Sequence, residues 1–413
     1  MVGVAMATMN KSTVQVRPRI PREIWILVSA ALMVALGYGL IAPLLPQFVV
    51  SFDVSSGAAG AVVAVFSASR LIFAPAAGWL VNTFGYRRVY LVGLTIVGVT
   101  TGLISLAQNF WHVFGLRAAA GIGSTMFTVS AMGLIVRLAP PSIRGKASAT
   151  YGTAFLLGNV IGPLLGAALA FLGFRWPFFI YGTGVLLAAC IVWALMPKNV
   201  DHRDAGTELP PMRVSDAWRD TAYRAALTSN FAHGWINMGV RVSILPLFAA
   251  AIFTHGGPIA GLALAAFALG NAIVLQFSGK LADVHGRKPL IMIGLTLTTV
   301  STAAMAFVGS ATPLLVVSAL AGASSGLINP AQQATLGDVI GNDRSGGQVL
   351  STFQMAVDLG QIFGPIIVGA LADLYGFRVA FLLCACIAPI GVVAWAFARE
   401  PLRSVRRGKE ARK

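Results

Sequence analysis

The stretch GNVIGPLLGA at residues 158–167 places a Gly-Pro pair inside a long apolar run, and GQIFGPIIVG repeats the pattern at residues 360–369. The two stretches begin 202 residues apart. Other pairs keep nearly the same offset and order: GWLVNTFGYRR at 78–88 with GKLADVHGRK at 279–288, and GFRWPF at 173–178 with GFRVAF at 376–381. Repeats in one order at one offset indicate a duplicated unit.

The composition places this duplicated unit in a membrane. Of 413 residues, 57% are hydrophobic and 11% are charged, with a mean hydropathy of +0.79, which is typical of a chain surrounded mostly by lipid. Twelve apolar runs are long enough to cross a hydrocarbon core of about 30 Å. They lie at residues 24–49, 58–81, 89–107, 111–136, 147–171, 177–196, 225–252, 258–279, 289–308, 313–337, 348–372 and 379–398.

The sequence therefore predicts an all-α membrane protein with twelve transmembrane helices in two pseudo-symmetric six-helix bundles. A long hydrophilic segment separates the halves. The predicted organisation is a cytoplasmic N-terminal tail at 1–23, a first bundle at 24–196, a cytoplasmic central loop at 197–224, a second bundle at 225–398 and a basic cytoplasmic tail at 399–413. Two bundles with a binding site between them are the architecture of secondary transporters.

The basic residues are distributed unevenly across the membrane. Of 30 Lys and Arg, Arg175 and Arg378 fall in loops on one side, Arg70, Arg117 and Arg241 fall within spans, and the other 25 lie on the opposite side. Because basic loops stay in the cytoplasm, both termini are predicted to be cytoplasmic in a multi-pass protein of the inner cell membrane. Anionic lipid headgroups account for the net charge of +16 without a nucleic-acid partner.

The sequence contains no P-loop, HExxH motif, Cys/His metal cluster or nucleophile elbow. The three cysteines, Cys190, Cys384 and Cys386, lie within predicted spans, where packing is the favoured role over a metal site. We therefore expect neither an enzyme nor a cofactor or metal, and an ion gradient as the energy source.

Two short loops carry a family resemblance that extends over essentially the whole chain. They resemble G-x-L-x-D-x-x-G-R-[RK], the signature of the major facilitator superfamily, which implies that superfamily's fold. In the second copy Gly279, Asp283, Gly286, Arg287 and Lys288 all match. In the first copy Gly78, Gly85 and Arg87 match, whereas Asn82 stands at the acid position, Tyr86 replaces the first basic residue and Arg88 follows one place late. In the superfamily the acid helps to clamp the two bundles together on the cytoplasmic side. Asn82 replaces it in the first copy, which predicts a weaker clamp there.

The Gly-Pro stretches resemble the fifth-helix motif G-x-x-x-G-P-x-x-G-[GA] of the superfamily's antiporter branches. The residues concerned are Gly158, Gly162, Pro163 and Gly166, with Gly360, Gly364 and Pro365 in the second half. Glycines four apart share one helix face, so a kinked packing face is one interpretation. The resemblance implies another, in which the motif seals the fifth helix against the opposite bundle. The stretch LGYGLIAPLLP at 36–46 is similar to the first helix of the drug:proton antiporter-1 group.

A charged side chain inside a span indicates a specific role, because placing its charge at the bilayer centre costs at least about 2.5 to 3.5 kcal/mol. Asp358 and Arg70 both lie near the middle of their spans, on helices that face each other in the superfamily. The hypothesis is an ion pair whose protonation switches during transport; a static pair that only fixes packing is the alternative. Arg117 lies in RAAAGIG, which resembles a fourth-helix motif associated with proton transfer, so Asp358, Arg70 and Arg117 form the predicted proton-coupling set.

Spans 1, 7 and 10 are also predicted, from the resemblance, to supply the substrate cavity. The candidate lining residues are Tyr38, Phe231, His233, Trp235, Asn237, Arg241, Asn329, Gln332 and Gln333. Each polar residue alone also fits a hydrogen bond between helices.

The predicted function is proton-coupled export of amphipathic small molecules or drugs by a monomer in contact with membrane lipids. A lipid or glycolipid flippase, a sugar or organic-acid symporter and a non-transporting receptor are the alternatives. Three embedded arginines against one embedded acid predict that neutral or anionic compounds are handled at least as well as cations.

Overall fold

The computed structural model of the protein describes residues 20–139, 144–197, 210, 212–341, 344 and 347–401. In these ranges, eleven helical stretches are long and apolar enough to cross a membrane. The last of them, Gln348–Phe397, has 50 residues and would be about 75 Å long as one helix, far more than one crossing needs. It breaks at Gly376 (φ 79°, ψ 167°). The prediction of twelve spans is therefore confirmed.

The helices are numbered α1 to α12 along the chain. The first bundle consists of α1 Arg22–Ile41, α2 Ser56–Phe84, α3 Tyr86–Ile104, α4 Phe110–Leu138, α5 Arg144–Ala168 and α6 Arg175–Leu195. The second consists of α7 Thr221–Ile252, α8 Gly256–His285, α9 Arg287–Met305, α10 Ala311–Ile340, α11 at residues 347–375 and α12 at residues 377–397.

The predicted first span of 24–49 is shorter in the structure. α1 ends at Ile41, and a separate short helix, Leu45–Val50, follows after a turn. Pro43 lies in this turn and Pro46 in the first turn of the short helix, and neither has the backbone N–H that a continuous helix requires. The predicted tails at 1–23 and 399–413 lie mostly outside the described residues. Of the predicted central loop at 197–224, residues 197, 210 and 212–224 are described, and they contain a short helix, Val214–Trp218, and the start of α7.

Four glycines repeat the turns of one half in the other. Gly85 and Gly286, with φ of 85° and 104°, separate α2 from α3 and α8 from α9. Gly173 and Gly376, with φ of 76° and 79°, separate α5 from α6 and α11 from α12. Side chains disfavour positive φ, so these positions fix the turns. Their separations of 201 and 203 residues show that the sequence repeat is also a structural repeat.

Most glycines of the Gly-Pro stretches pack inside their own bundles, whereas Gly369 of α11 meets the carbonyl of Ser56 in α2. A Cβ atom at Gly162 of α5 would lie 2.6 Å from the carbonyl oxygen of Leu36 in α1. A Cβ atom at Gly364 of α11 would lie 2.6 Å from the carbonyl oxygen of Trp235 in α7. In this conformation the glycines of α5 therefore face α1 of their own bundle, whereas Ala167 at the end of the same stretch meets α8 of the opposite bundle. The sealing role that the resemblance implies stays a prediction.

One end of the molecule holds the start of α1 and the end of α12; we call it the terminal end and the opposite one the far end. At the terminal end, the basic residues of the repeated loops tie helices of one bundle together. Arg87 donates from Nη2 to the carbonyl of Trp193 at 2.7 Å, and Lys288 donates from Nζ to the carbonyl of Ala396 at 2.8 Å. The start of α3 is thus tied to the end of α6, and α9 to α12.

The two loop copies achieve similar packing with different chemistry. Arg287 forms ion pairs with Asp283 at 2.6 Å and with Asp338 of α10 at 3.3 Å. The equivalent positions in the first half, 201 residues earlier, are Tyr86 and Arg137, and the Arg137 guanidinium lies 4.5 Å from the centroid of the Tyr86 ring. A cation–π contact thus replaces the ion pair.

The acid of the loop signature does not clamp the opposite bundle in this conformation. The side chain of Asp283 is 71% exposed and bonds to Arg287 of its own loop. A Cβ atom at Gly78 or Gly279 would meet nothing within 4 Å. The side chain of Asn82 lies outside the described residues. The described residues of each loop at the terminal end therefore contact their own bundle and not the opposite one.

At the far end, α2 and α11 meet closely across the two bundles; we call this contact the α2–α11 seam. The Asp373 carboxylate accepts hydrogen bonds from the backbone N–H groups of Ser56 at 3.0 Å and Gly57 at 2.8 Å, capping the start of α2. One turn further along, the Pro365 carbonyl leaves no room for a Cβ atom at Gly60.

Further contacts show how far the seam extends. The Ser67 hydroxyl donates to the side-chain oxygen of Gln361 at 2.9 Å, near the middle of both helices. At the far end, α5 and α8 also meet across the two bundles, where a Cβ atom at Gly261 would lie 2.8 Å from the Cβ of Ala167. Among the described residues, these hydrogen bonds and close backbone approaches between bundles lie in the far half or at mid-depth. The structure is therefore closed at the far end and open at the terminal end.

We predict that Gly162→Ala destabilises the protein, whereas Gly152→Ala on the same helix does not. A methyl group at Gly162 would overlap α1, an overpacking that costs about 1–3 kcal/mol. Gly152 has no atom within 4 Å of a Cβ position and gains helix propensity. Thermal unfolding of the purified variants in detergent measures both effects, and equal melting temperatures would contradict the packing assignment.

We also predict which cysteine pairs cross-link after Cys190, Cys384 and Cys386 are replaced by Ser. A Cβ atom at Gly57 would lie 3.4 Å from the backbone nitrogen of Ala370, so the pair Gly57→Cys with Ala370→Cys should form a disulfide under mild oxidation.

The control pair is Thr83→Cys with Leu350→Cys, at the terminal ends of the same two helices. It should stay reduced under the same conditions, as judged by mobility after protease cleavage in the central loop. Faster cross-linking of the control pair than of the far-end pair would show that the protein rests with the other end open.

Candidate functional site

A cavity of about 270 Å³ lies within the first bundle. All six helices of that bundle contribute to its wall, and α7 and α11 contribute Met238 and Gln361. Its polar lining residues are Tyr38, Ser67, Arg70, Thr101, Arg117, Ser124, Thr128, Asn159, Tyr181 and Gln361. Its aromatic apolar residues are Phe66, Phe127 and Phe155. The wall thus contains two arginines, and no Asp or Glu is among the described residues that form it.

A small residue and two tyrosines shape one side of this cavity. The ring of Tyr181 lies against α1 at Gly37, where any Cβ atom would overlap it. The Tyr38 hydroxyl donates to the sulfur of Met238 at 3.6 Å, which joins α1 to the second bundle. The Tyr38 and Phe66 ring centroids are 6.3 Å apart. Aromatic groups from α1, α2 and α6 therefore form one wall with hydroxyl groups along it.

Arg117 of α4 is a buried cation beside this aromatic wall. It is only 3% exposed, and its guanidinium carbon lies 4.3 Å from the centroid of the Phe66 ring. The ring face attracts the positive charge, but the Nε atom of Arg117 has no hydrogen-bond partner in the structure. Arg70 lies on α2, and its Nε atom is likewise buried without a partner.

Asp358 is the one Asp or Glu among the buried residues of the described part of the chain, at 5% exposure. Its carboxylate accepts a hydrogen bond from the Gln354 side chain at 3.1 Å. Asp358 lies one turn before Gln361 on α11, and Arg70 lies one turn after Ser67 on α2. Because these helices run in opposite directions, both charged residues lie on the terminal side of the Ser67–Gln361 hydrogen bond and face each other across the seam.

No ion pair within 4.0 Å joins Arg70 to Asp358 in this conformation; the ion pairs of the described residues are Arg287–Asp283, Arg287–Asp338 and Arg399–Asp220. Arg70 and Asp358 nevertheless both lie one helical turn from the Ser67–Gln361 hydrogen bond, on the same side of it. The predicted ion pair is therefore absent here, although its members are neighbours at the point where the two helices diverge.

Three predicted cavity residues instead form a chain inside the second bundle. Arg241 donates from Nη1 to the side-chain oxygen of Asn237, and the Asn237 nitrogen lies 2.6 Å from Nε2 of His233. The Arg241 guanidinium carbon lies 3.2 Å from the centroid of the Phe267 ring. A π-helical segment, Ile236–Ile244, interrupts α7 here. His233 and Arg241 border a small space between α7, α9, α10 and α12, away from the first-bundle cavity.

The other predicted cavity residues of the second bundle also lie elsewhere. Gln332 donates to the Ser229 hydroxyl at 2.7 Å, which also accepts from the indole of Trp395 at 3.1 Å, so it stabilises contacts between helices. The remaining four do not line the cavity: Phe231, Trp235, Asn329 and Gln333. Of the predicted lining residues, Tyr38 alone is on its wall.

Sequence reasoning missed several residues that do line the cavity, among them Ser67, Asn159, Tyr181 and Gln361. Ser67 and Gln361 lie one helical turn from Arg70 and Asp358, so a search for polar residues at that spacing from an embedded charge would have found them. Asn159 lies within the Gly-Pro stretch. No group of three His, Cys, Asp or Glu within the described ranges is placed to hold a metal ion.

The comparisons with known proteins agree with this architecture. The family model described as Major Facilitator Superfamily matches residues 27–253 and 229–413. The multi-drug resistance efflux pump PmrA homolog of Lactococcus lactis is 26% identical over 391 residues, covering 91% of this chain and 94% of that protein. The multidrug resistance protein MdtG of Yersinia enterocolitica is 28% identical over 412 residues, covering 95% and 97%.

A solved structure has the same fold. The crystal structure of a bacterial homolog of the human lysosomal transporter Spinster, in an inward-facing and unoccupied conformation, superposes with a TM-score of 0.72 at 16% identity. The match covers 92% of this chain and 97% of that one. Since the family matches extend over nearly the whole chain, this multi-pass membrane transport protein belongs to the Major Facilitator Superfamily.

Proposed function

We propose that this protein is a proton-coupled antiporter that exports amphipathic small molecules by alternating access, acting as a monomer in the inner cell membrane. The observation that carries the proposal is Asp358, a buried acid that faces Arg70 across the α2–α11 seam where the seam opens. Relatives named as multidrug efflux proteins support the substrate class.

The proton step follows from the position of Asp358. A charge at this depth costs at least about 2.5 to 3.5 kcal/mol unless it is compensated. When Asp358 loses its proton toward the terminal end, the carboxylate attracts Arg70 and draws α2 and α11 together there. Proton uptake from the other side removes the attraction and allows the terminal end to reopen. The open terminal end observed here, with no Arg70–Asp358 ion pair, fits the protonated state.

The distribution of basic residues supports the direction of transport. Most Lys and Arg of the sequence fall at the terminal end or in segments attached to it, which places this end in the cytoplasm by the positive-inside rule. The open end then faces the cytoplasm, so the cavity is loaded from inside the cell. Alternate closure of the two ends delivers the substrate outward.

A lipid or glycolipid flippase is the second candidate, because Arg70 and Arg117 would suit an anionic headgroup. The cavity volume of about 270 Å³ favours a small molecule over a lipid with two acyl chains. A symporter for sugars is less well supported, since Phe66, Phe127 and Phe155 present apolar rings where a sugar requires hydrogen bonds.

We predict that Asp358→Asn abolishes proton-linked transport. In everted vesicles carrying a preformed proton gradient, a substrate of the native protein should dissipate the gradient measured by a fluorescent pH probe. The Asn variant should give less than about a tenth of that response, because its amide cannot release a proton.

The control is Asp216→Asn, which removes an exposed acid near the start of the second bundle and should respond like the native protein. Full proton-linked transport by Asp358→Asn would refute the coupling role of this residue. No response of the native protein to a broad panel of compounds would favour the flippase.

A further inference from the structure

We propose that Arg117 binds an anionic group of the transported molecule, so that the substrates of this protein are small amphipathic anions, such as carboxylates or phosphonates attached to an apolar body. The inference names the substrate class of the cavity and rests on the proposed function only for the direction of transport. Its basis is a buried cation that no acidic side chain of the described residues neutralises.

The surroundings of Arg117 leave part of its binding capacity unused. A guanidinium carries five N–H donors, and the Arg117 guanidinium lies over the face of the Phe66 ring at 4.3 Å, in the same cavity as the phenol groups of Tyr38 and Tyr181. Its Nε atom has no hydrogen-bond partner, and the residue is 3% exposed. Arg241 in the second bundle differs, because Asn237 accepts a hydrogen bond from it. A forked group of donors matches a carboxylate or a phosphonate.

The rest of the cavity has the same electrostatic preference. Arg70 adds a second guanidinium whose Nε atom lacks a partner. Tyr38, Tyr181 and Asn159 add neutral groups able to donate hydrogen bonds. Since no acid of the described chain lines the cavity, the potential inside it is positive. Such a cavity attracts anions and excludes organic cations.

The apolar part of the wall determines what the anion is attached to. Phe66, Phe127 and Phe155 present aromatic rings beside the arginines, which suits one or two fused rings or a short alkyl chain. The volume of about 270 Å³ lies near the lower limit of ligand pockets. The occupant is therefore a compact amphipathic anion.

Arg117, rather than Arg70, is assigned as the anchor because Arg70 serves the proton step. An anion bound to Arg70 would compete with the Asp358 carboxylate and favour its protonated form, so proton and substrate would move in the same direction. Arg117 lies over Phe66 inside the first bundle. An anion there can remain bound while Asp358 attracts Arg70, as an antiport cycle requires.

Calorimetric titration of the purified protein in detergent tests the inference without a gradient or any transport. The probes share one ring system: a naphthalene carboxylate, its neutral carboxamide and the corresponding naphthylmethylammonium ion. The native protein should bind the carboxylate at least about tenfold more tightly than the amide and the ammonium ion more weakly still. Equal binding of carboxylate and amide, or tightest binding of the cation, would overturn the proposal whether or not any variant folds.

The Arg117→Gln variant should reduce the preference for carboxylate over amide to less than about twofold. Arg117→Lys keeps the charge but loses the fork and should retain part of the preference. The matched control is Arg378→Gln, which removes an arginine over the Phe307 ring, remote from the cavity, and should bind all three probes like the native protein. Retention of the full preference by Arg117→Gln would also overturn the assignment.

A lipid headgroup could supply the same anionic chemistry, and a second arm distinguishes the source. The titration is repeated in nanodiscs of phosphatidylcholine with and without phosphatidylglycerol. Unchanged binding of the carboxylate identifies the site as one for soluble anions, as proposed. Competitive loss of binding in the presence of phosphatidylglycerol would confirm an anion site but assign it to a lipid. Anion binding together with a failed proton-flux assay would leave this inference standing and refute the coupling.

Discussion

Every charged or polar group inside a bilayer must find its partners within the protein, and this constraint accounts for much of the molecule. Each embedded arginine meets it differently. Arg241 is held by Asn237 and the Phe267 ring, whereas Arg117 lies over a ring face and its Nε atom has no hydrogen-bond partner. Arg70 faces the acid across the seam. We propose that these three solutions correspond to a structural, a binding and a switching role.

The two halves share a backbone plan but have diverged in chemistry. The turn glycines recur at a nearly constant offset, as do the hydrogen bonds of Arg87 and Lys288 at the terminal end. The cavity, however, belongs to the first bundle, while the equivalent region of the second bundle holds the hydrogen-bonded chain at His233. Movement of the second bundle against a first bundle that lines the cavity is consistent with alternating access.

The sequence predicted the features that depend on order along the chain. Apolar runs gave the spans, and the repeat gave the bundles, because both are one-dimensional patterns. The sequence-based prediction failed where the rotation of a helix about its own axis determines which neighbour each side chain meets. Gln332 turns toward Ser229 rather than the cavity. Hydropathy does not settle such rotations when both faces of a helix are apolar or weakly polar.

The most direct test of the account is the distance between spin labels on α2 and α11 at the terminal end, at positions Thr83 and Leu350, measured by double electron–electron resonance at low and high pH. Protonation of Asp358 is claimed to open this end. The labelled protein that retains Asp358 should therefore give longer distances at low pH than at high pH. The labelled Asp358→Asn variant should give the long distances at both pH values. A pH-dependent shift that persists in the Asn variant would contradict the claim.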